Sequence, residues 1–330
     1  MKLRKNLSGR HFRLLVAAVG VGVLALATAT GAAAAPVGVP VTSPGGVTMW
    51  GGADDNQRDG VPTRGSVAAI AAGDHHSVAL TTDGHIAAWG HSAWGERDGV
   101  PTGGRFTAIA AGEDHAVALT ADGHIAAWGS SEFGQQDDLP ARGGFTRIAA
   151  GTYHGLALTP EGTIVDWGSE EYGQRADVPT DGGFTAIAAG NFHSLALTTD
   201  GHITMWGGSA EGQRDGLPTE GGFTAIAAGE DHSLALTADG HIVIWGSNEY
   251  GQRTGTPTGG GFTAIAGGFR HSVALSADGT ITAWGNNENG QLGGVPTGDG
   301  YTAVAAGAYH SIALGAQTAS TGSLGSLTGS

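Results

Sequence analysis

The sequence predicts an all-β, seven-bladed β-propeller built from a 39-residue repeat, and three observations carry that expectation. A Trp-Gly pair recurs seven times, from Trp50 to Trp284, each copy 39 residues after the last. A histidine keeps the same spacing from His76 to His310, so one structural unit is copied without insertions. The chain ends carry partial copies that complement each other. VTMWGGADDNQRDGVPT at the start and YTAVAAGAYHSIALG at the end make one further unit beside six complete ones.

Taken in order, residues 1–35 read as a signal peptide. Lys2, Arg4, Lys5, Arg10 and Arg13 lead into an apolar run over residues 14–27, and Ala32, Ala33 and Ala34 suit a cleavage site. The run is shorter than the ~20 apolar residues that span a bilayer, so export with cleavage near Ala34 is expected rather than an anchor. Residues 36–46 read as a linker and residues 47–314 as the propeller. A typical copy, FTAIAAGEDHSLALTADGHIVIWGSNEYGQRTGTPT, holds three short alternating or apolar segments, with an Asp-Gly hairpin turn between the second and third. The small residues of IAAG suit an innermost strand at a crowded hub. A short fourth strand is expected outermost, beside the prolines that recur from Pro62 to Pro296. The ends of the chain are expected to close the ring, residues 47–50 pairing with residues 311–314 in one shared blade. Residues 315–330, Gly, Ser and Thr rich without apolar periodicity, read as a flexible tail.

Composition excludes several classes of function. Glycine makes up 61 of 330 residues without a three-residue period, which fits many tight turns and excludes collagen. No cysteine is present, so disulfides, thiolate metal sites and thiol catalysis are excluded. Signal cleavage would remove five of the 15 basic residues and none of the 30 acidic ones. The ten remaining cations are scattered arginines, with no basic stripe for phosphates, so nucleic acid is not an expected partner.

The A-x-G-x-x-H-S, D-G and W-G-x-N-x-x-G-Q elements, over residues 47–314, resemble the regulator of chromosome condensation family of propellers. The 39-residue spacing, the Gly-Gln-x-x-x-x-Pro stretch, the split closing blade and the signal peptide are most similar to the secreted β-lactamase-inhibitory propellers within it. The resemblance implies a secreted, monomeric protein binder without a cofactor. Its partner would be another protein such as a class A β-lactamase or a penicillin-binding protein. A carbohydrate-binding propeller and a general propeller scaffold are the alternatives.

Strand alternation puts the loop after IAAG and the loop after Trp-Gly on one face, with the Asp-Gly hairpin and the PTGG segment on the other. The second face barely changes between copies, whereas the first varies. One equivalent position there carries Asp55, Trp94, Phe133, Tyr172, Glu211, Tyr250 and Asn289, and exposed aromatic rings fill pockets on partners. The resemblance, carried over by position, nominates Trp94, Phe133, Tyr153, Tyr172, Phe192, Tyr250 and Tyr309 as partner-binding residues. Acids flank them, with Asp55, Glu132 and Glu171 foremost and Asp54, Glu96, Glu170, Glu211, Glu249 and Glu288 beside, a rim suited to steering a basic partner. Asp114, Asp231 and Arg270 stand where further rings would fit, so the target is expected to differ from that of a known inhibitor. The periodic histidines are expected to make a hydrogen bond that every blade needs, from the start of the second strand to a neighbouring turn, not a metal ring, and the periodic tryptophans to be core. His85, His124, His202 and His241 follow Asp-Gly turns and are expected in solvent. No nucleophile elbow, phosphate loop or off-period acid-base group points to an enzyme.

Overall fold

The computed structural model describes residues 41–42, 46–52, 56–62 and 66–315; the segment expected to be a signal peptide, most of the expected linker and residues 316–330 lie outside them. The repeat forms seven antiparallel sheets. The first blade orders Val67–Ala72, His76–Thr81 and Ile86–Gly90 from inside to outside, and five later copies repeat this order. The alternation of each segment explains the pairing. The middle strand, buried on both faces, is a continuous apolar run such as HSLALT, and the outer strand carries tryptophan at its inward position. At the inner strand, the register shifts between its first and third residues. The Thr224 hydroxyl donates to the Leu236 carbonyl there, so the shift leaves that carbonyl satisfied.

The seventh blade is shared by the chain ends. Val47–Gly51 pairs antiparallel with His310–Gly315, Val47 opposite Leu314 and Trp50 opposite Ser311, and Tyr301–Ala306 completes the inner edge. This is the closure that the complementary partial repeats predict. Two boundaries move outward. Val41–Thr42, in the expected linker, forms a short strand against Thr48 and Met49, covering an edge that would otherwise lie open. Gly315, expected in the tail, ends the last strand.

The expected fourth strand is absent from the six other sheets among the described residues. Its segment runs as successive turns, because its position before the proline dipeptide is left-handed in every copy. Glycine occupies it five times, and Asp138 and Asp177 take φ of 59° and 63°. The segment also serves the next blade rather than its own. The Gly90 N–H donates to Asp59, the Gly129 N–H to Asp98 and the Gly51 N–H to Gly293. Gly60 lies against the Cβ of Trp89, and Gly99 against that of Trp128.

Seven apolar layers between neighbouring blades form the core. Trp89 packs on Met49, Ile312 and Leu314 of the preceding blade, and Trp50 on Val273, Leu275 and Ile281. All seven periodic tryptophans are buried, as expected of core. Each contributes about 4–6 kcal/mol of apolar burial, an upper figure relative to an extended chain.

A ring at one end of the hub joins the blades. The glycine of each A-x-G-x-x-H motif faces the backbone carbonyl of the next: Gly73 faces Gly112, Gly112 faces Gly151, and so around to Gly307, which faces Gly73. A Cβ at Gly112 or Gly151 would lie 2.4 Å from that carbonyl oxygen and about as close to the histidine of its own blade, so no side chain fits. In five of the seven copies the histidine beside the glycine bridges the blades. His154 Nε2 lies 2.7 Å from Ser194 Oγ, His193 from Ser233 at 3.0 Å, His232 from Ser272 at 2.9 Å, and His271 and His310 from Ser311 and Ser77 at 2.8 Å. The partner is thus a serine of the next blade, not a turn. His76 and His115 lack the serine partner because the next blades carry Ala116 and Gly155. At Gly155 the indole of Trp167 fills the space of a side chain, whereas at Ala116 a serine would fit the pattern.

Two predictions follow from this frame. Ala116→Ser is expected to give His76 its missing partner and add about 1 kcal/mol, raising Tm by about 2 °C, while Ser233→Ala lowers stability by about 1–2 kcal/mol. Urea unfolding of both variants checks this, and an Ala116→Ser variant no more stable than the parent would remove the bridging role. Deleting residues 36–60 opens the edge at His310–Gly315 and uncovers Trp89, so soluble monomer is expected to disappear from size-exclusion profiles. Retained monomer with the parent's far-UV spectrum would show that closure is dispensable.

Candidate functional site

The variable loops lie together on one face, as strand alternation requires, and the structure reveals what holds them. Six buried glutamines and Glu96 form a second ring. Gln135 Oε1 accepts from the Phe133 N–H at 3.0 Å, Gln174 from Tyr172 at 2.9 Å and Gln252 from Tyr250 at 3.0 Å, while Glu96 Oε2 accepts from Trp94. Each bracket turns the backbone so that the residue two positions earlier projects outward. Trp94 is 49% exposed, Phe133 40%, Tyr172 39% and Tyr250 38%, and these are the exposed large hydrophobic side chains of the described residues. The Gly-Gln signature was legible in the sequence, but its bracketing role was not.

Of the other nominated rings, Tyr153 and Tyr309 are buried and Phe192 is half-buried. Tyr153 forms the floor under an aromatic patch across three blades, its ring centroid 5.4 Å from Phe133, 5.8 Å from Tyr172 and 6.4 Å from Phe192, with Tyr172 5.0 Å from Phe192. Tyr309 packs against His75 and Phe269 on the far side of the ring. Glu132 and Glu171 are exposed beside Phe133 and Tyr172, with Glu170, Glu211, Glu249 and Glu288 exposed likewise. Asp54 and Asp55 lie outside the described residues. Glu96 does not belong to the rim: it is fully buried in the glutamine ring, where its Oε1 lies 3.0 Å from His91 Nδ1.

Opposite the aromatic patch, blade-to-blade variation gave the signal for residues not nominated above. The Arg270 guanidinium lies 3.3 Å from the Tyr250 ring centroid and 4.6 Å from that of Phe269, and its Nε is 3.4 Å from Glu230 Oε2. Glu230 and Asp231 are both buried. Burial, then its neighbour Asp231, pushes the Glu230 carboxyl up to about 9, with Arg270 opposing. Burial followed by Glu211 raises Asp231 to about 6, and burial followed by Glu96 raises Asp114 to about 7. Among the described residues no group of His, Asp and Glu has metal-site geometry. The periodic histidines stay neutral, held by burial at about 3 or 4 from an ordinary 6.5. His85, His124, His202 and His241 are exposed, as expected, each against its turn aspartate.

The repeat model of the regulator of chromosome condensation (RCC1) matches residues 67–93, 106–135, 145–174, 184–213, 223–252 and 262–291, more than half the chain. The chain belongs to the RCC1-repeat family. Among solved structures, its fold is similar to that of Prp20p from Saccharomyces cerevisiae, described with its binding to Gsp1p and histones. That match has 20% identity, a TM-score of 0.67, and covers 83% of this chain and 92% of that one. The ectodomain of the receptor kinase CR4 from Physcomitrella patens matches at 22% identity and a TM-score of 0.62, over 74% and 72% of the two chains. Human WBSCR16 matches at 18% identity and 0.63, over 77% and 87%. No curated protein matches the sequence. These likenesses establish the RCC1-repeat propeller fold.

The buried titratable groups of this RCC1-repeat propeller predict a stability optimum. The histidines are depressed, so their contribution is full above pH 6.5 and lost as pH falls from 6.5 toward 3–4, where the unfolded chain binds protons first. The three raised carboxylates act oppositely, opposing folding increasingly as pH climbs from about 4 to their folded values. Seven histidines outweigh three acids below pH 6.5, and above it only the acids titrate. The urea midpoint is expected to peak near pH 6.5–7, fall steeply toward pH 4 and decline gently toward pH 9. A midpoint constant between pH 7 and 5 would mean that the histidine ring is not neutral and buried.

Proposed function

We propose that this chain is an exported, non-enzymatic propeller that binds a partner protein through its aromatic loop face. The observation that carries this reading is the set of four large rings held outward by buried glutamine and glutamate brackets, all on one face. Exposed rings reduce solubility, and nothing in the frame requires them there. At an interface they supply contact area at little entropic cost, because the backbone that bears them is already fixed. Buried Tyr153 stiffens Phe133 and Tyr172 from beneath. Proteins of this fold are known in binding roles, as the description of Prp20p with Gsp1p and histones illustrates. The finer reading, a partner among class A β-lactamases or penicillin-binding proteins, rests on the sequence resemblance. Export rests on the basic and apolar segment at residues 1–35.

Immobilised protein titrated with a panel of class A β-lactamases and penicillin-binding proteins tests the finer reading, and capture from the producing organism's culture fluid tests the broader one. Replacing Trp94, Phe133 and Tyr172 together with alanine is expected to weaken partner binding at least about 100-fold while Tm moves by no more than about 2 °C. Binding that survives the triple variant would sink the aromatic-face reading, and panel silence with a partner captured from culture fluid would remove the β-lactamase and penicillin-binding-protein reading alone.

A further inference from the structure

Beside the aromatic patch, a depression of about 610 Å³ opens among the loops of the third to seventh blades. Its size falls in the range of sites that hold a small molecule or a protruding side chain. Tyr172 and Phe192 belong to both the patch and this depression, so a partner seated on the patch covers its mouth. The charge balance inside is lopsided. Glu211, Glu249 and Glu288 line the depression with exposed carboxylates, and among the described residues none is paired with a basic side chain. Its lining includes a single cation, Arg270, already committed to Tyr250, Phe269 and Glu230.

Independently of these acids, Asn191 lines the same depression only 2% exposed, and its side-chain oxygen has no protein donor. A buried acceptor of this kind is costly unless something donates to it. The Arg270 arrangement shows which chemistry the walls favour: a flat or compact cation against a tyrosine face with a carboxylate beside it. A carboxylate ligand would meet like charge, and a neutral hydroxyl would leave the excess of acids unbalanced.

Resting on the protein-binding reading of this face, we propose that the depression beside Tyr250 receives one cationic side chain, a lysine or an arginine, from the partner. Its alkyl stem would lie along the tyrosine walls and its charged head among Glu211, Glu249 and Glu288, within reach of Asn191. This assigns the two halves of the face different work: the aromatic patch supplies apolar area, and the depression selects a basic residue at one place in the partner's surface.

The test uses probes that need no knowledge of the partner. Nα-acetyl-arginine amide and Nα-acetyl-lysine amide, with the neutral citrulline and norleucine analogues as controls, are titrated into the mature protein by calorimetry and ligand-observed NMR. The cationic probes are expected to bind saturably and the neutral ones not. Binding should weaken roughly tenfold in the exposed-site variant Glu211→Gln/Glu249→Gln/Glu288→Gln, and also on raising salt, as a charge-selected site requires. The variant Trp94→Ala/Phe133→Ala, outside the depression, should bind the probes as the parent does. Equal behaviour of cationic and neutral probes, or unchanged arginine-amide binding in the triple glutamine variant, overturns the proposal even where a partner is captured by the aromatic patch. Saturable, charge-selective probe binding upholds the depression even where no partner depends on Trp94 and Phe133, so the two readings fail separately.

Discussion

The close approach of seven glycines at one end of the hub sets the geometry on which the rest of the molecule depends. Each glycine meets the carbonyl of its neighbour, and the last meets the first, so the blade angle is fixed by backbone contact rather than by adjustable side chains. Each blade meets the hub through the same motif, and the 39-residue period repeats that motif without insertion. The histidine that covers each glycine then has one place to go, toward the next blade, and serine there completes the joint. Burial keeps these imidazoles neutral, which suits a hydrogen bond to a hydroxyl.

From this ring outward, each contact is made to the neighbouring blade. The tryptophan of one blade packs on its predecessor, and the Gly-Gln segment of one copy caps the outer strand of the next. A structure stitched forward in this way has an unfinished edge at each end until the two ends meet. Pairing Val47–Gly51 with His310–Gly315 therefore supplies more than one extra blade. It gives Trp89 the surface of Met49 and Ile312, and gives Trp50 its place over the sixth blade.

The frame was legible in the sequence because each framework position is copied up to seven times. Residues such as Trp167 and His154 announce themselves by period, and complementary partial repeats announce closure. Beyond the Gly-Gln brackets and the serine partners of the histidines, two features were not legible. The fourth strand failed because turn formation depends on a left-handed residue that is glycine in five copies but aspartate at Asp138 and Asp177, so the cue is hidden by alternation in residue type. The depth of the rim failed because periodic spacing tells which loop a residue occupies, not which way it points. Glu96 and Trp94 are two residues apart, yet one is fully buried and the other half exposed. Tyr153 and Tyr172, both nominated, likewise divide into floor and surface.

A frame this regular makes its departures informative, since a residue that differs from its six equivalents is released from the common structural duty. Some of the departures meet one another. Aromatic ones gather at Phe133, Tyr153, Tyr172 and Phe192, and ionisable ones at Glu211, Glu230, Asp231, Glu249 and Arg270. Glu230 and Asp231 oppose folding at neutral pH, because burial raises both carboxyls, with Asp231 adding to it at Glu230 and Glu211 at Asp231. The seven tryptophan layers and the closed ring tolerate that cost. Stability held in copied positions is what permits strain at varied ones, so the positions least favourable to folding mark where this propeller is shaped for something other than folding.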